Sequence, residues 1–410
     1  MDVIRSATAR ITDFSPAHAH PAASPAHPKI LLYSHDTFGL GNIRRTLLLA
    51  DFLSSAYPRS AILVLTGSPM IHAFRIPARV DYVKLPCVNR IRADEYEPRF
   101  LADCGEEVRC TRSAIIERTA IAFAPDLFVV DKRAGGIDNE LLPALEALRR
   151  LDRPPRVVLG LRDILDAPET TSRSLRANGS FNLIERCYDE IWIYGARDVF
   201  DAVAEYNFPP TVAARSHFCG YLRRHAAPRT AHSGPPRILV TAGGGGDAAV
   251  LVLAYLRGLA QVPEGEFQTV VVLGPQLDQE TAEGLRQLGA QRRDVEYVEF
   301  EANMPRRYEE ADVVLSMAGY NTVCELLSAN VRAVLVPRAE PVQEQLIRAR
   351  RLAARGYFRM VEPSELTPSR LIDEARAALA APPSPASRID MEGLMRVRSR
   401  VHRLLESRES

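Results

Sequence analysis

Twice in this chain an apolar run ends in a glycine turn and passes straight into a helical pattern. KILLYSH (29–35) leads to Gly39 and Gly41, and then Ile43, Leu47, Leu48, Ala50 and Leu53 follow at helical spacing. RILVTAGGGG (237–246) leads to a helix over 247–260. Short uncharged runs of this kind read as strands buried on both faces of a parallel sheet. After the first opening, strands are predicted over 60–67, 79–85, 126–132, 156–163 and 190–195, with helices over 105–123, 138–150 and 172–187 between them. After the second, strands are predicted over 269–275, 295–300, 311–319 and 332–338. Helices are predicted there over 279–290, 304–310, 321–330, 342–355 and 368–380, and a final basic helix over 388–406. Such alternation gives α/β folds with helices on both sheet faces. The expectation is two Rossmann-like, doubly wound domains facing a cleft.

Length agrees, because 410 residues suit two domains of roughly 190 each. The expected boundaries are a disordered leader at 1–28, a first domain at 29–223 and a polar linker at 224–236. A second domain at 237–381 and a Pro-rich break with a terminal helix at 382–410 complete the chain. The leader carries His18, His20 and His27 and no continuous apolar core, so it is not read as a signal peptide. Lys plus Arg is 52 against 51 Asp plus Glu, a balance that argues against nucleic acid as partner. No apolar stretch is long enough to span a membrane. The six cysteines (Cys87, Cys104, Cys110, Cys187, Cys219, Cys324) form no CxxC pair and read as buried thiols in a reducing, cytoplasmic compartment. Only Lys29, Lys84 and Lys132 are lysines, so the basic charge is almost all Arg.

In open α/β sheets ligands sit beyond the carboxyl ends of the strands, and three loops there attract notice. HDTFGLGNIRR (35–45) offers Gly39 and Gly41 for a tight turn and helix amides for an anion. TAGGGGDAA (241–249) places Gly243, Gly244, Gly245 and Gly246 in succession, so a ligand can approach the backbone closely. The dinucleotide pattern fits formally, yet the next strand ends in Leu273-Gly274-Pro275-Gln276 without the carboxylate that holds a ribose, which disfavours NAD. MAGYNTVCEL (317–326) turns at Gly319 and starts a helix near Asn321 or Thr322. Glu325 on that helix either complements the helix dipole or accepts from a ribose diol.

The stretch from VEYVEFEANMPRRYEEADVVLSMAGYNTVCELLSAN to VRAVLVPRAEPVQEQLIRARRLAARG resembles the C-terminal domain of glycosyltransferase family 28. This is the family of the MurG-like transferases, which have GT-B architecture. The resemblance covers 237 to about 379 well, and the first half more loosely through KILLYSHDTFGLGNIRR. It implies a nucleotide-sugar donor, UDP-linked, as substrate rather than cofactor. Gly243 to Gly246 would lie by the diphosphate, Phe300 and Met304 around the base, and Ala318, Gly319, Asn321 and Thr322 at the phosphates. Glu325 would lie at the ribose, and Glu344 and Gln345 at the donor sugar. Two departures stand out. Glu344 replaces a glutamine of the family, and Asn42 replaces its first-loop His.

Transfer needs a base for the acceptor hydroxyl and stabilisation of the leaving diphosphate. His35 is the first choice of base, with Asp36 and Asp163 as substitutes. Arg44, Arg45 and Arg223 are candidates for the leaving charge, and Arg162, Asp163 and Asp131-Lys132 for the acceptor side. No Asp-x-Asp motif occurs, so no metal is expected. The expectation is a metal-independent hexosyltransferase, and the resemblance alone implies inversion at the sugar carbon. The acceptor is left open between lipid-linked and small-molecule, with a nucleotide-sugar 2-epimerase or a non-catalytic nucleotide-sugar binder as alternatives. The terminal helix, with Arg388, Arg396, Arg398, Arg400 and Arg403, either crosses back to the first domain or contacts a membrane surface.

Overall fold

A computed structural model describes residues 27–37, 39–92, 95–224, 232–241, 249–274, 277–299, 301, 303–382 and 388–408. The leader with His18 and His20, most of the linker, the four-glycine run 243–246 and Phe300 lie outside the described residues.

The first half runs β1 (Lys29–Ser34), α1 (Gly41–Ala56), β2 (Ala61–Thr66), β3 (Val80–Lys84), β4 (Val88–Arg92), β5 (Glu95–Pro98), α2 (Gly105–Phe123) and β6 (Leu127–Asp131). It continues through α3 (Leu142–Arg149), β7 (Arg156–Arg162), α4 (Pro168–Ala177), α5 (Ser180–Cys187), β8 (Glu190–Tyr194), α6 (Ala202–Glu205), α7 (Pro210–Ala213) and β9 (Ser216–Phe218). The second half runs β10 (Arg237–Thr241), α8 (Ala249–Leu259), β11 (Gln268–Val272), α9 (Gln279–Gly289), β12 (Val295–Val298), α10 (Met304–Glu310) and β13 (Val313–Ser316). It ends with α11 (Tyr320–Ala329), β14 (Arg332–Leu335), α12 (Glu344–Ala353), β15 (Arg359–Met360), α13 (Pro368–Ala380) and α14 (Gly393–Glu406).

Among the described residues the first sheet has the order β3-β2-β1-β6-β7-β8-β9 and the second β12-β11-β10-β13-β14-β15. Every pairing within these two sheets is parallel. Each half therefore starts mid-sheet, winds outward, and returns to the other side of its first strand. The resulting switch points lie between β1 and β6 and between β10 and β13, where such sheets open a crevice. The strands are legible because both faces are covered: β6 and β8 are buried along their whole length.

Three local differences have plain causes. The single helix predicted over 172–187 is two, α4 and α5, broken at Asn178-Gly179, where Gly179 takes φ +67. The antiparallel β4–β5 hairpin was not predicted. It is a short ribbon beside the main sheet, and its residues are partly exposed, so no apolar run marks it. Of the cysteines, Cys187, Cys219 and Cys324 are buried, but Cys104 and Cys110 lie exposed around the start of α2.

The terminal helix α14 crosses back onto the first domain and packs on α1 and β6. Its apolar stripe, Val397, Val401 and Leu404, is buried in the shared core. Three arginines of this terminal segment hold to that domain's side: Arg400 grips both oxygens of Glu190, Arg396 donates to the Cys219 carbonyl at 2.8 Å, and Arg408, just past the helix, pairs with Asp126. Gly220, at φ +86, makes the junction possible, since a Cβ there would lie 2.6 Å from Asp390 Oδ1. The apolar stripe of this helix therefore serves the crossing back to the first domain, the first of the two readings given above. No helix among the described residues is long and apolar enough to cross a membrane. Leu404→Ala is expected to cost about 2–4 kcal/mol, as for other large-to-small core changes, measured as an earlier denaturant midpoint.

Candidate functional site

The cleft is closed by charged contacts between the two domains, and several residues singled out above hold it shut. Arg348 of α12 is fully buried and donates to Asp163 beyond β7, at 2.9 Å from Nε to Oδ2 and 2.7 Å from Nη2 to Oδ1. Its Nη1 donates to the Ala318 carbonyl at 2.8 Å, and Tyr221 adds an O–H to Asp163 at 3.0 Å. Asp163 is therefore an interface anchor rather than a residue of the acceptor side. Its strand neighbour Arg162 points the other way, into an open cavity, and pairs with Glu344 at 2.7 Å.

Glu344 is buried, which by itself would raise its carboxyl. Arg162, Arg348 and Arg338 outweigh burial and hold it at about 2. Gln345 beside it is 6% exposed, and its Oε1 has no partner among the described residues.

The helix starts meet across the cleft. Asn321 of α11 donates to the Gly41 carbonyl at 2.7 Å and accepts from Arg224 at 2.8 Å. Glu325 is buried and takes Arg44 of α1 on one oxygen and the Tyr308 hydroxyl on the other, the latter at 3.2 Å. Arg44 thus bridges the domains through Glu325. Thr322 is half-buried near Gly319, Ala318 is buried with its carbonyl occupied, and Met304 is packed into the core at the start of α10. Two further candidates are corrected. Arg45 is 1% exposed and spends its guanidinium on Asp131, at 2.6 and 2.8 Å from Nη2. Arg223 turns outward to Glu392 at 3.7 Å, and it is Arg224, one residue on, that enters the cleft.

At the first switch point, Gly39 adopts φ +85 and turns the loop between β1 and α1. Asn42 lines the cavity, donates to the His35 carbonyl, and accepts from Arg45 at 3.0 Å. His35 and Asp36 lie behind it, both buried. Burial pushes the His35 imidazole well below its ordinary range, and Lys132, Arg133, Arg112 and Arg90 push it the same way. Tyr96, from the unpredicted hairpin, stands 3.5 Å from its Nε2. Burial lifts the Asp36 carboxyl to about 6 against the pull of the Thr66 hydroxyl, 2.5 Å from Oδ2. Its Oδ1 has no partner among the described residues. Lys132, at the end of β6 with φ +71, also faces the cavity. Its ammonium is lowered to about 7 by burial and then by Arg162, Arg133 and Arg90.

Comparison with known proteins adds to this geometry. The family model described as the glycosyltransferase family 28 C-terminal domain matches residues 237–404. A UDP-N-acetylglucosamine--N-acetylmuramyl-(pentapeptide) pyrophosphoryl-undecaprenol N-acetylglucosamine transferase of Janthinobacterium sp. (strain Marseille) is 41% identical over 107 residues, 26% of this chain and 29% of that protein. The protein of the same name from Nitrosospira multiformis is 31% identical over 185 residues, 41% of this chain and 49% of its own length. The chain thus matches less than half of either relative. Across the whole fold, the crystal structure of Acinetobacter baumannii MurG superposes with TM-score 0.60 at 17% identity, covering 92% of this chain and 100% of that one. The calicheamicin glycosyltransferase CalG4 does so with TM-score 0.62 at 15% identity, covering 93% and 98%. The architecture is that of these GT-B structures.

Two measurements probe the cleft. Asp163→Ala strands a buried guanidinium and is expected to cost about 3–5 kcal/mol in denaturant unfolding, while the double change Asp163→Leu with Arg348→Met costs less. Glu344 has a depressed carboxyl, so its contribution is present above the unfolded value near 4.5 and is lost as pH falls through about 2. That contribution is ~3 kcal/mol, and Glu344→Gln should flatten the acid limb of stability between those values.

Proposed function

We propose, from the premise that residues 237–404 are a glycosyltransferase family 28 C-terminal domain, that this chain transfers a hexose or N-acetylhexosamine from a UDP-sugar to an acceptor hydroxyl. The observation that carries this reading is that family match, set on a Rossmann-type sheet whose switch point opens toward the first domain. In the reaction the acceptor oxygen forms a bond to the anomeric carbon, and the bond from that carbon to the diphosphate oxygen breaks. The hydroxyl proton passes to a base, UDP departs with the electron pair, and the configuration inverts.

Asn42 carries an amide and cannot take that proton. Asp36, held at about 6, is matched to proton transfer near neutral pH, whereas His35 is held too low to be a strong base. Asp36 is therefore the preferred base, with His35 orienting the loop through its carbonyl contact with Asn42. The start of α11 and the guanidinium groups of Arg224 and Arg44, which meet at the domain contact, would supply charge stabilisation to a leaving diphosphate. Glu325 would exchange Arg44 for the ribose diol, and Gln345 would offer its unpartnered amide oxygen to the donor sugar.

Thermal unfolding against a panel of nucleotides tests the donor assignment. UDP or one UDP-sugar at about 100 times its dissociation constant should add ~2.7 kcal/mol, and NAD nothing. Glu325→Ala should abolish the shift, and a chain insensitive to every nucleoside diphosphate overturns the reading. With a donor in hand, transfer should rise as pH passes about 6 and level off above it, because only the ionised carboxylate accepts a proton. Asp36→Asn should lose transfer while keeping the UDP shift.

A further inference from the structure

Strand β9 and the returning helix α14 border a cavity of about 410 Å³, within the range of small-ligand sites. It shares no lining residue with the larger cavity that Arg162 enters, whose apolar wall carries Leu159, Leu161, Phe181 and Phe208. Four arginines open onto the smaller cavity: Arg197 after β8, and Arg396, Arg400 and Arg403 of α14. His217 of β9 lies among them. No carboxylate lines this space among the described residues.

Partners account for part of that charge. Arg400 grips Glu190, which also accepts from the Trp192 indole at 2.8 Å. Arg396 pairs with Asp390. Arg197 lies over the Phe218 ring at 4.6 Å, and its nearest carboxylate, Asp201, is 4.0 Å away. The Arg403 guanidinium is exposed and has no hydrogen-bond or ion-pair partner among the described residues. His217 reports the sign of the local field. Its Nε2 stands 2.7 Å from Arg400 Nη2. A guanidinium has no acceptor, so the ring nitrogen accepts and the imidazole is neutral in this arrangement. Burial and then Arg400 lower its proton affinity, Glu190 pulls the other way, and Arg403 adds to the depression. β9 is also the last strand of its sheet, so its outer edge meets no strand among the described residues.

We infer that this cavity binds a doubly charged tetrahedral oxyanion, free or carried by a small molecule, between Arg197, Arg403 and His217. The inference goes beyond the transferase reading and does not depend on it. Guanidinium forks match such an anion, and an imidazolium adds a further charged donor. With the anion present, His217 releases its contact from Arg400 and protonates, so binding takes up a proton. The charged groups around this ring are Glu190 of β8, Arg197 after it, and Arg396, Arg400 and Arg403 of α14. An added anion raises the histidine, so affinity grows as pH falls through its value in the complex. The ligand bridges β9 and α14 and tightens the terminal helix on the first domain.

Calorimetric titration of the full chain with sodium sulfate, at constant ionic strength in chloride, tests this. Sulfate keeps its double charge between about pH 6 and about pH 8, the range in which histidine changes its own. One sulfate per chain is expected, bound at least tenfold more tightly at the lower pH, with a proton uptake that His217→Gln removes. The double variant Arg197→Gln with Arg403→Gln should weaken it at least tenfold. Both of these arginines are exposed, so the fold does not rest on them, and an unchanged near-ultraviolet dichroism spectrum checks this. Arg44→Gln, at the contact between the domains, should leave sulfate binding as it is. Loss of binding in Arg44→Gln places the anion in the cleft and overturns the inference. An affinity unchanged in the double variant, an affinity indifferent to pH, and no binding at all overturn it too, as does binding to phosphatidylglycerol vesicles without binding of free sulfate.

Discussion

The buried pair of Arg348 and Asp163 fixes the relation between the two sheets. Burying two opposite charges is costly unless each retains a full set of partners. Here the carboxylate takes both arms of the guanidinium and a tyrosine hydroxyl, while the spare Nη1 of the arginine reaches a backbone carbonyl. That carbonyl belongs to Ala318, at the turn between β13 and α11, and Asp163 directly follows β7. One guanidinium therefore ties the carboxyl edge of one sheet to the switch-point turn of the other. The contacts of Glu344, Asn321 and Glu325 lie around this tie and inherit their geometry from it.

The sheets could be read from sequence because their strands are covered on both faces and must be apolar throughout. The elements that escaped reading lack that constraint. The β4–β5 hairpin is a partly exposed ribbon, and the break between α4 and α5 depends on one glycine inside an otherwise helical pattern. At the site, the loops could be located but not the direction of each side chain. Arg162 and Asp163 were grouped together as cleft residues. As chain neighbours at a strand end they face opposite ways, and one lines the cavity while the other is buried under Arg348. Arg223 and Arg224 differ in the same way. Arg45 looked like a free cation of the first loop because its partner Asp131 lies 86 residues away, and only the fold brings them together. The apolar cavity was invisible for a related reason: its wall comes from β7, α4, α5 and Phe208, each an ordinary core segment when viewed alone.

The electrostatics of the first switch point act as one system. His35, Asp36 and Lys132 share a buried, largely cationic neighbourhood, and burial drives each toward its neutral form.

The return of α14 to the first domain bears on how this protein can be recombined. In sequence the helix belongs to the second half and falls within the matched family domain, yet its stripe and its arginines complete the first. The unit of inheritance and the unit of packing therefore do not coincide. A chimera that exchanges second halves at the interdomain linker would import a foreign strap onto α1 and β6. A workable exchange needs a second crossover before Gly393, so that the native helix stays with the domain it seals.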